Sequence, residues 1–346
     1  MKNSKRSRNY NQGKFVNQIS TSIDTRVGTM LSILRDYIKG NPKLRPADPI
    51  PVQPIEPRFF KDNKQSKVVW FGHSTLLMKL DGKTILLDPM FGKGLSPVEF
   101  FGGKRYSEKL PVEVEEIDAI DTILISHNHY DHLDYATIKK LSDKVKRFFV
   151  PLGVGRQLGR WGVAPEKIKE LDWWNEVEVD GLTLACTPAR HFSGRGICDR
   201  DATLWCSWVI AGQHTKVYFS GDSGYGPHFA EIGNKYGPFD LTFMECGQYD
   251  ERWSAIHMMP EETVQAQLDV QGKRMIPIHW GAFTLALHDW DDPVERVVKA
   301  AKAKGICIST PKIGETVIIG SEECPDSTWW RNCSQGLCYF KSKVAD

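Results

Sequence analysis

The residue types that bind metal ions are concentrated in one short segment of the chain. Residues 127–134 contain three histidines and two aspartates, and they directly follow the apolar stretch Ile120 to Ile125. Side chains at alternate positions of extended backbone project to the same side, so we expect His127, His129 and Asp131 to converge. Neutral imidazole and carboxylate groups both bind divalent cations such as zinc. A solvated polar loop would seldom use so many histidines, and the segment therefore predicts a site for two adjacent metal ions.

Three further residues of ligand type stand singly, each at the end of a predicted strand. His191 follows the strand Leu182 to Thr187, Asp222 follows a strand that ends near Phe219, and His279 follows a short apolar stretch. Taken alone, a histidine often makes a structural hydrogen bond and an aspartate often caps a turn. Together with the first segment they predict one shared cleft. The candidate metal ligands are His127, His129, Asp131, His132, His191, Asp222 and His279.

The elements that must position these residues alternate between strands and helices, which indicates an α/β fold. Period-two and short apolar patterns predict strands over 68–71, 74–80, 84–87, 120–125, 147–150, 182–187, 204–211, 216–220 and 241–244. Helical periodicity predicts helices over 135–145, 260–270 and 293–303. Two halves of similar β-rich texture are compatible with a duplicated unit.

The N-terminal part of the chain has a different pattern. Residues 1–13 are polar and basic and are expected to be disordered, whereas the next segment has a helical period that Gly40 and Pro42 end. The helix is expected to pack against the main domain; the alternative is a helix on a membrane surface or at a lipid entrance. Charges of both signs on its polar face weaken the alternative. The apolar positions are Val16, Ile19, Ile23, Val27, Met30, Leu34 and Ile38.

These patterns divide the chain into three parts. We expect an N-terminal extension over 1–66, with the amphipathic helix and a proline-rich arm, a main domain over 67–320 that carries the candidate ligands, and a tail over 321–346. The spacing of Cys324, Cys333 and Cys338 in the tail fits no zinc motif.

Composition excludes several classes of protein. The net charge of +2 gives no reason to expect a nucleic-acid partner. No uncharged apolar run approaches the roughly 18 residues that a membrane span needs, and the first residues lack the apolar core of a secretory signal. The eight cysteines are therefore expected to be reduced thiols, and the protein to be cytoplasmic.

The order His-x-His-x-Asp-His, followed by His, Asp and His, resembles the metallo-β-lactamase superfamily. More closely, the chain is similar to the N-acylphosphatidylethanolamine-hydrolysing phospholipase D family, over about three quarters of its length, from about residue 66 to 320. This resemblance implies an αββα four-layer sandwich of the metallo-β-lactamase type. The similar stretches are 70–75, 87–89, 125–134, 204–208, 220–225, 257–262 and 278–281.

The resemblance also implies roles for the ligands. His127, His129 and His191 would hold a first ion, Asp131, His132 and His279 a second, and Asp222 would bridge them. Two Zn²⁺ ions fit best, and Mn²⁺ or Fe²⁺ accept the same ligands. A water shared by two cations loses a proton near neutral pH and attacks the substrate. The residues expected to act in catalysis are Asp131, Asp222 and His257.

His257 has two interpretations. It matches a family position in the substrate cleft, where it would steady a phosphate or protonate the leaving group. The alternative is that it only opens the helix that follows. Asp88 and Asp134 are candidates to orient metal-bound imidazoles, and His73 is expected either to face the cleft or to make a buried hydrogen bond. Tyr249, Arg252 and Trp253 are either substrate contacts or ordinary packing residues.

The function that the resemblance implies is a phospholipase D-type hydrolysis of N-acylphosphatidylethanolamine-like lipids, which releases N-acylethanolamine and phosphatidic acid. The alternative on the same metal core is hydrolysis of a lactone, a cyclic phosphodiester or a sugar-phosphate lactone. A non-catalytic metal-binding scaffold would lack some ligands, yet all seven positions are filled. The expected partners are a lipid or other phosphodiester substrate, a membrane met peripherally and a second copy of the chain in a homodimer, but no nucleic acid.

Overall fold

The computed structural model describes residues 7–22, 24, 26–95, 103–196 and 198–334. The strands are β1 Tyr10–Asn11, β2 Lys14–Phe15, β3 Lys67–Trp70, β4 Leu76–Leu80, β5 Lys83–Leu87, β6 Ile120–Leu124, β7 Val145–Pro151, β8 Ile168–Leu171, β9 Glu176–Val179, β10 Leu182–Thr187, β11 Ser207–Ala211, β12 Lys216–Phe219, β13 Leu241–Glu245, β14 Arg274–Ile278, β15 Cys307–Ile308 and β16 Thr316–Ile318. The helices are α1 Val27–Lys39, α2 Arg58–Lys61, α3 Tyr135–Leu141, α4 Gly155–Arg160, α5 His228–Tyr236, α6 Pro260–Asp269, α7 Asp292–Ala303 and α8 Trp330–Ser334.

Two seven-stranded sheets form the centre of the fold. The first has the order β16-β3-β4-β5-β6-β7-β8 and the second the order β15-β14-β13-β12-β11-β10-β9. In the first sheet β3 to β5 pair antiparallel and β5 to β8 pair parallel, while in the second β9 to β12 pair antiparallel and β12 to β15 pair parallel. The two sheets therefore repeat one pattern, which agrees with the two similar halves of the sequence.

Successive side chains in the strands of the first sheet point to opposite faces and contribute to two hydrophobic layers, one on each face. In β3, Val68 and Trp70 belong to a core shared with the second sheet, while Val69 belongs to another core shared with α3 and α4. Successive side chains of a strand point to opposite faces, so β3, which is buried at every position, is covered on both faces. Helix residues Ile138 and Leu158 cover the outer face of this sheet.

The second sheet is covered in the same way by the later helices. Val264 of α6 and Val297 of α7 are fully buried in the core that contains the strands of this sheet. The order of layers is helix, sheet, sheet, helix. The αββα sandwich of the metallo-β-lactamase type is confirmed.

The N-terminal helix differs from the expectation in two ways. It begins only at Val27. Residues 16–22 are not helical, and Ile23 lies outside the described residues. None of its residues is buried, so the prediction that it packs its apolar face against the main domain is wrong. The helix instead turns its polar side inwards, where Arg252 contacts Ser32 Oγ at 3.1 Å and Asp36 Oδ2 at 2.9 Å.

Two other expectations about the ends of the chain are corrected. Residues 10–15 form a small hairpin of β1 and β2, so the described part of 1–13 is not disordered. Cys333 is disulfide-bonded, so the eight cysteines are not all reduced thiols. Trp329 and Trp330 pack with their rings 5.6 and 5.8 Å from the ring of Trp280, which places this part of the tail in the core.

Candidate metal centre

The loops that follow the central strands of both sheets meet at one edge of the sandwich. The first sheet supplies the loop after β6, which carries residues 127–132, and the turn at His73 between β3 and β4. The second sheet supplies the loops after β10, β12 and β14, which carry His191, Asp222 and His279. The structure thus brings together all seven residues that the sequence singles out as candidate ligands.

One group of ligand atoms is built mainly from imidazoles. His127, His129, His191 and Asp222 each offer an atom within 4.8 Å of the others. The Nε2 atoms of His127 and His191 lie 2.9 and 3.2 Å from His129 Nδ1. His191 Nδ1 donates to the carbonyl of Ile256 at 3.0 Å, so its Nε2 carries a lone pair. Lone pairs that converge in this way fit a bound cation.

A second group combines imidazoles and carboxylates. His73, Asp131, His132 and His279 also offer atoms within 4.8 Å of one another. Asp222 lies between the two groups, with Oδ2 at 3.1 Å from His132 Nε2 and Oδ1 at 3.2 Å from His279 Nδ1. This position is the one expected of a ligand shared by two ions.

Unsatisfied buried atoms show that the donor set fits metal ions. His132 Nε2, Asp222 Oδ1 and His279 Nε2 are buried and have no hydrogen-bond partner in the described structure. Leaving such groups unpaired is costly in a protein interior. A cation held by these atoms would satisfy them, and the cluster is therefore able to bind metal ions.

The electrostatics of the cluster agree with this interpretation. Burial lowers the pKa of His129 to about 3 and that of His127 well below its ordinary value, which keeps both rings in the neutral form that metals bind. Burial raises the pKa of Asp222 to about 6. At His132 burial acts against the charged form, but the carboxylates of Asp222 and Asp131 outweigh it and raise the pKa well above the usual value. A cation bound beside these carboxylates would take the place of the proton on His132.

Comparison with known proteins identifies the family. Residues 83–280 match the beta-lactamase superfamily domain. The chain belongs to this superfamily. Rv0906, an uncharacterized protein of Mycobacterium tuberculosis, is 42% identical over 320 residues, which cover 91% of this chain and 85% of that protein. N-acyl-phosphatidylethanolamine-hydrolyzing phospholipase D 1 of Caenorhabditis elegans is 32% identical over 254 residues, which cover 70% of this chain and 71% of the worm protein.

Solved structures support the same fold. Igni18, a metallo hydrolase from the archaeon Ignicoccus hospitalis, superposes with a TM-score of 0.57 at 23% identity, over 75% of this chain and 100% of that chain. The protein is a metal-dependent hydrolase of the metallo-β-lactamase superfamily, with a metal site made of histidine and aspartate. Across the described residues, no helix is both long enough and apolar enough to cross a bilayer.

Asp88 orients two of the superfamily histidines, as the sequence suggested. Its Oδ2 accepts a hydrogen bond from His132 Nδ1 at 2.7 Å and another from Ser126 Oγ at 2.5 Å. Because that hydroxyl donates to Asp88, it accepts from His127 Nδ1 at 2.9 Å. One buried carboxylate therefore turns the Nε2 lone pairs of both rings towards the cleft.

The other candidate for this role, Asp134, does something else. Its Oδ2 accepts a hydrogen bond from the amide of Thr137 at 2.9 Å, and it caps the start of α3. The expectation that it supports a metal-bound imidazole is wrong. An aspartate directly before a helix accepts hydrogen bonds from the unpaired amides of the first turn, and this is what Asp134 does.

His73 lies in the cleft and joins the two sheets. Its Nε2 is 2.8 Å from Asp131 Oδ2. Its backbone forms two hydrogen bonds with the His279 loop, from His73 N to Trp280 O at 2.8 Å and from His279 N to His73 O at 2.9 Å. His73, Asp88 and His279 have φ values of 56°, 39° and 67°. Such strained conformations in residues other than glycine cluster at functional sites.

His257 lies over the centre of the cleft. Its ring stacks on His279 with centroids 5.1 Å apart and meets the edge of His191 at 5.0 Å. It therefore contacts one candidate ligand from each of the two groups. Its Nδ1 is 3.0 Å from Oε2 of Glu245, a fully buried residue that sequence reasoning missed. A lone glutamate at the end of a strand carries no motif that would have revealed this contact.

Asn17 is a second residue that the sequence did not reveal. Its side-chain amide donates to His191 O at 2.8 Å, and its Oδ1 accepts from His191 N at 3.1 Å and from Trp205 Nε1 at 3.0 Å. The N-terminal segment thus holds the backbone of a candidate metal ligand. The helical spacing of apolar residues that begins at residue 16 gave no indication of this contact.

The loop at 249–253 has a structural role. Tyr249 donates to Asp292 and stacks on His288 with centroids 4.5 Å apart. Arg252 pairs with Asp250 and with Asp36 of α1. These contacts support the packing interpretation over direct substrate binding.

Proposed function

We propose that this hydrolase cleaves a phosphodiester in a lipid, in a phospholipase D-type reaction on N-acylphosphatidylethanolamine-like substrates. The products would be an N-acylethanolamine and a phosphatidic acid. The observation that carries the proposal is the pair of neighbouring four-donor groups, with Asp222 of the first group also beside His132 and His279 of the second, because paired ions are suited to in-line displacement at phosphorus. The relationship to the worm phospholipase D supports the choice of substrate.

The roles of the residues follow from their positions. Two divalent ions, which we propose to be Zn²⁺, would supply an activated water and neutralise charge on the phosphate oxygens. Asp222 would contribute a ligand to both sites, since its two oxygens face different histidines. Asp131, aligned by His73, would complete the second site. His257 would contact the phosphate or the leaving group, since its ring lies over both ligand groups.

Helix α1 supports a lipid substrate that is met at a membrane. Its residues Val27, Leu31, Leu34 and Ile38 are all more than half exposed and recur with the spacing of one helical face. The opposite face is held to the body of the protein by Arg252. We propose that this apolar face rests in the surface of a bilayer as a peripheral contact. The protein would then be cytoplasmic and visit the membrane to reach its substrate.

The function is tested by a substrate panel with the zinc-loaded protein. N-acylphosphatidylethanolamine, a simple phosphodiester and an acyl lactone are each offered at equal concentration, and products are separated by mass spectrometry. Release of N-acylethanolamine is expected. Turnover of the lactone alone would overturn the proposal and favour the alternative lactonase function, and turnover of the simple phosphodiester alone would remove the lipid specificity.

Metal content is measured on the same sample. Two equivalents of zinc per chain are expected, and full activity with manganese or iron alone would correct the identity of the metal.

A further inference from the structure

Arg195 connects the loop that carries His191 to the loop that follows β6. It lies in the segment after β10, four residues beyond His191. Its Nη1 donates to the carbonyl of Asn128 at 2.9 Å and to the carbonyl of Leu133 at 2.7 Å. Three of the candidate ligands lie between these two acceptors. One nitrogen of a partly buried guanidinium therefore holds both ends of the segment that carries them.

We propose that Arg195 is a positioning residue that holds residues 128–133 in the conformation that gathers their metal-binding side chains, so that the loop is already formed when an ion enters. The inference concerns metal binding, and it rests on the proposed function only for its effect on turnover.

The two carbonyls need a donor from elsewhere in the chain. Asn128 and Leu133 are buried, and within the described residues no backbone amide donates to either carbonyl. A buried carbonyl without a partner is costly. A guanidinium stays charged and can only donate, so the direction of both hydrogen bonds is fixed. Arg195 is therefore the group that satisfies both carbonyls and closes the segment between them.

Arg195 is itself held in place, so it can set the shape of the loop. Its guanidinium carbon lies 3.7 Å from the centre of the Tyr130 ring and 5.3 Å from that of Trp161. The Tyr130 hydroxyl donates to Arg195 O at 3.0 Å, and Asp199 accepts from the Arg195 amide at 3.0 Å. A planar guanidinium that stacks on aromatic rings presents its N–H groups in fixed directions. Because Tyr130 belongs to the loop, each side of the contact restrains the other.

The same contacts join candidate ligands from the two sheets. Asn128 Oδ1 accepts from the Gly194 amide at 2.9 Å, which adds a further hydrogen bond between the two loops. Across this junction His191 Nε2 lies 3.2 Å from His129 Nδ1. If the loops were not joined, a bound cation would have to order them, and the cost of ordering would reduce the free energy of binding. Loss of the Arg195 hydrogen bonds is therefore expected to lower the affinity for metal.

Hydrogen exchange of the full-length chain, freed of metal by a chelator, tests whether the loop is formed in advance. The amides of His132 and Leu133 both donate to His129 O and report on the loop, while β6 serves as the internal reference. We expect these two amides to exchange at least about tenfold more slowly than in an unstructured chain. Exchange at the unstructured rate, with β6 still protected, would overturn the proposal. This measurement needs no variant and no substrate.

Two variants test whether Arg195 is the cause. Arg195→Met keeps a long apolar side chain against Tyr130 and Trp161 but has no hydrogen to donate. Its zinc affinity, measured by competition between the zinc-loaded protein and a chelator, is expected to fall about ten- to a hundredfold. The two loop amides should exchange about tenfold faster. In Arg195→Lys the ammonium can again donate to the carbonyls, so its zinc affinity should lie between those of the wild type and Arg195→Met.

Three results would contradict the proposal. The first is wild-type zinc affinity in folded Arg195→Met, and the second is a zinc affinity of Arg195→Lys that is no higher than that of Arg195→Met. The third is faster exchange of equal size in the loop and in both sheets, which would assign Arg195 to general stability.

A matched control removes another arginine beside the same cavity. Arg156 of α4 is exposed and lines the cavity that Arg195 also lines. Arg156→Met is expected to keep the zinc affinity and the loop exchange of the wild type, and a fall of equal size in this control would overturn the specific role of Arg195. If zinc affinity changes as proposed but N-acylphosphatidylethanolamine is not hydrolysed, the proposed function fails while the role of Arg195 stands.

Discussion

The metal centre and helix α1 both depart from the usual distribution, in which apolar residues are buried and polar residues are exposed. The centre buries polar groups, with His127 and His279 each 1% exposed, while α1 leaves Val27 76% and Ile38 75% exposed. Buried polar groups without partners and exposed apolar faces are both unfavourable in an isolated protein. The partners proposed above would account for each, a pair of cations in one case and a lipid surface in the other.

The comparison also separates two kinds of requirement. The centre should govern turnover of every substrate, whereas α1 should govern only access to substrate in a bilayer. Variants in the two regions are therefore expected to change different measurements.

The largest effect is expected from Asp222→Ala. Because Asp222 lies between both ligand groups, its loss should lower turnover at least about a thousandfold on any substrate. Zinc content by mass spectrometry should fall while the circular dichroism spectrum stays that of the wild type. The exposed Asp143→Ala is the control. Near-normal turnover in Asp222→Ala would exclude the proposed site.

Asp88→Asn should have the next largest effect. Oδ2 of Asp88 accepts from Ser126 Oγ and His132 Nδ1, and its Oδ1 accepts from the Ser126 amide, so the NH₂ group of asparagine faces a donor in either orientation and disturbs the hydrogen bonds that orient the imidazoles. Zinc affinity or activity should drop by about ten- to a hundredfold. Asp134→Asn is the matched control, since this residue caps α3. Zinc affinity that falls equally in both variants would mean that Asp88 acts only through general stability.

The double variant Leu31→Ser, Leu34→Ser tests α1. These side chains are exposed in the protein, so the melting temperature should barely change, but partition into phospholipid vesicles should fall about tenfold because apolar burial is lost. Turnover of a soluble phosphodiester should be unaffected. Leu268→Ser with Leu285→Ser removes two exposed leucines elsewhere as a control.

The same samples decide between a membrane and a second copy of the chain. The wild type could sediment as a dimer and the α1 variant as a monomer, with vesicle binding the same in both. That result would assign the apolar face of α1 to a homodimer contact.

The smallest effect concerns a buried histidine outside the metal centre. Burial lowers the pKa of His228 to about 3, below its ordinary value of about 6.5. The unfolded chain therefore binds a proton that the folded protein excludes, and stability present above pH 6.5 is lost as the pH falls. Between pH 6.5 and 5.5 the loss should be about 1 kcal/mol. Denaturant unfolding of the metal-loaded protein should show a loss that is about 1 kcal/mol smaller in His228→Gln than in the wild type and in His214→Gln.

The α/β alternation and the seven candidate ligands were predictable because each depends on local patterns, whereas the αββα sandwich was predicted from the family resemblance. Apolar strands such as Ile120 to Leu124 end at residues of ligand type, and the residue types themselves restrict the chemistry. Asp88 was predictable for the same reason, since it directly follows β5. The assignment of individual ligands to the two ions stays a prediction.

Long-range contacts could not be predicted from the sequence. Residues 16–22 have a helical period, yet Asn17 hydrogen-bonds to His191, and Arg190 donates to Thr21 Oγ1 at 3.0 Å and to Ser20 O at 3.2 Å. These contacts override the weak preference for helix. The contact of Glu245 with His257 depends on how the loop after β13 folds back, which no periodicity encodes.

Because each group of donors draws on loops from both sheets, neither half of the chain can assemble the centre alone. A nascent chain that has emerged from the ribosome only as far as β8 would expose His127, His129 and His132 but not His191, Asp222 or His279. Cation capture must therefore follow the docking of the second sheet during synthesis. Bound ions would in turn hold the two halves together, so that loss of the ions would weaken the contact between the two sheets.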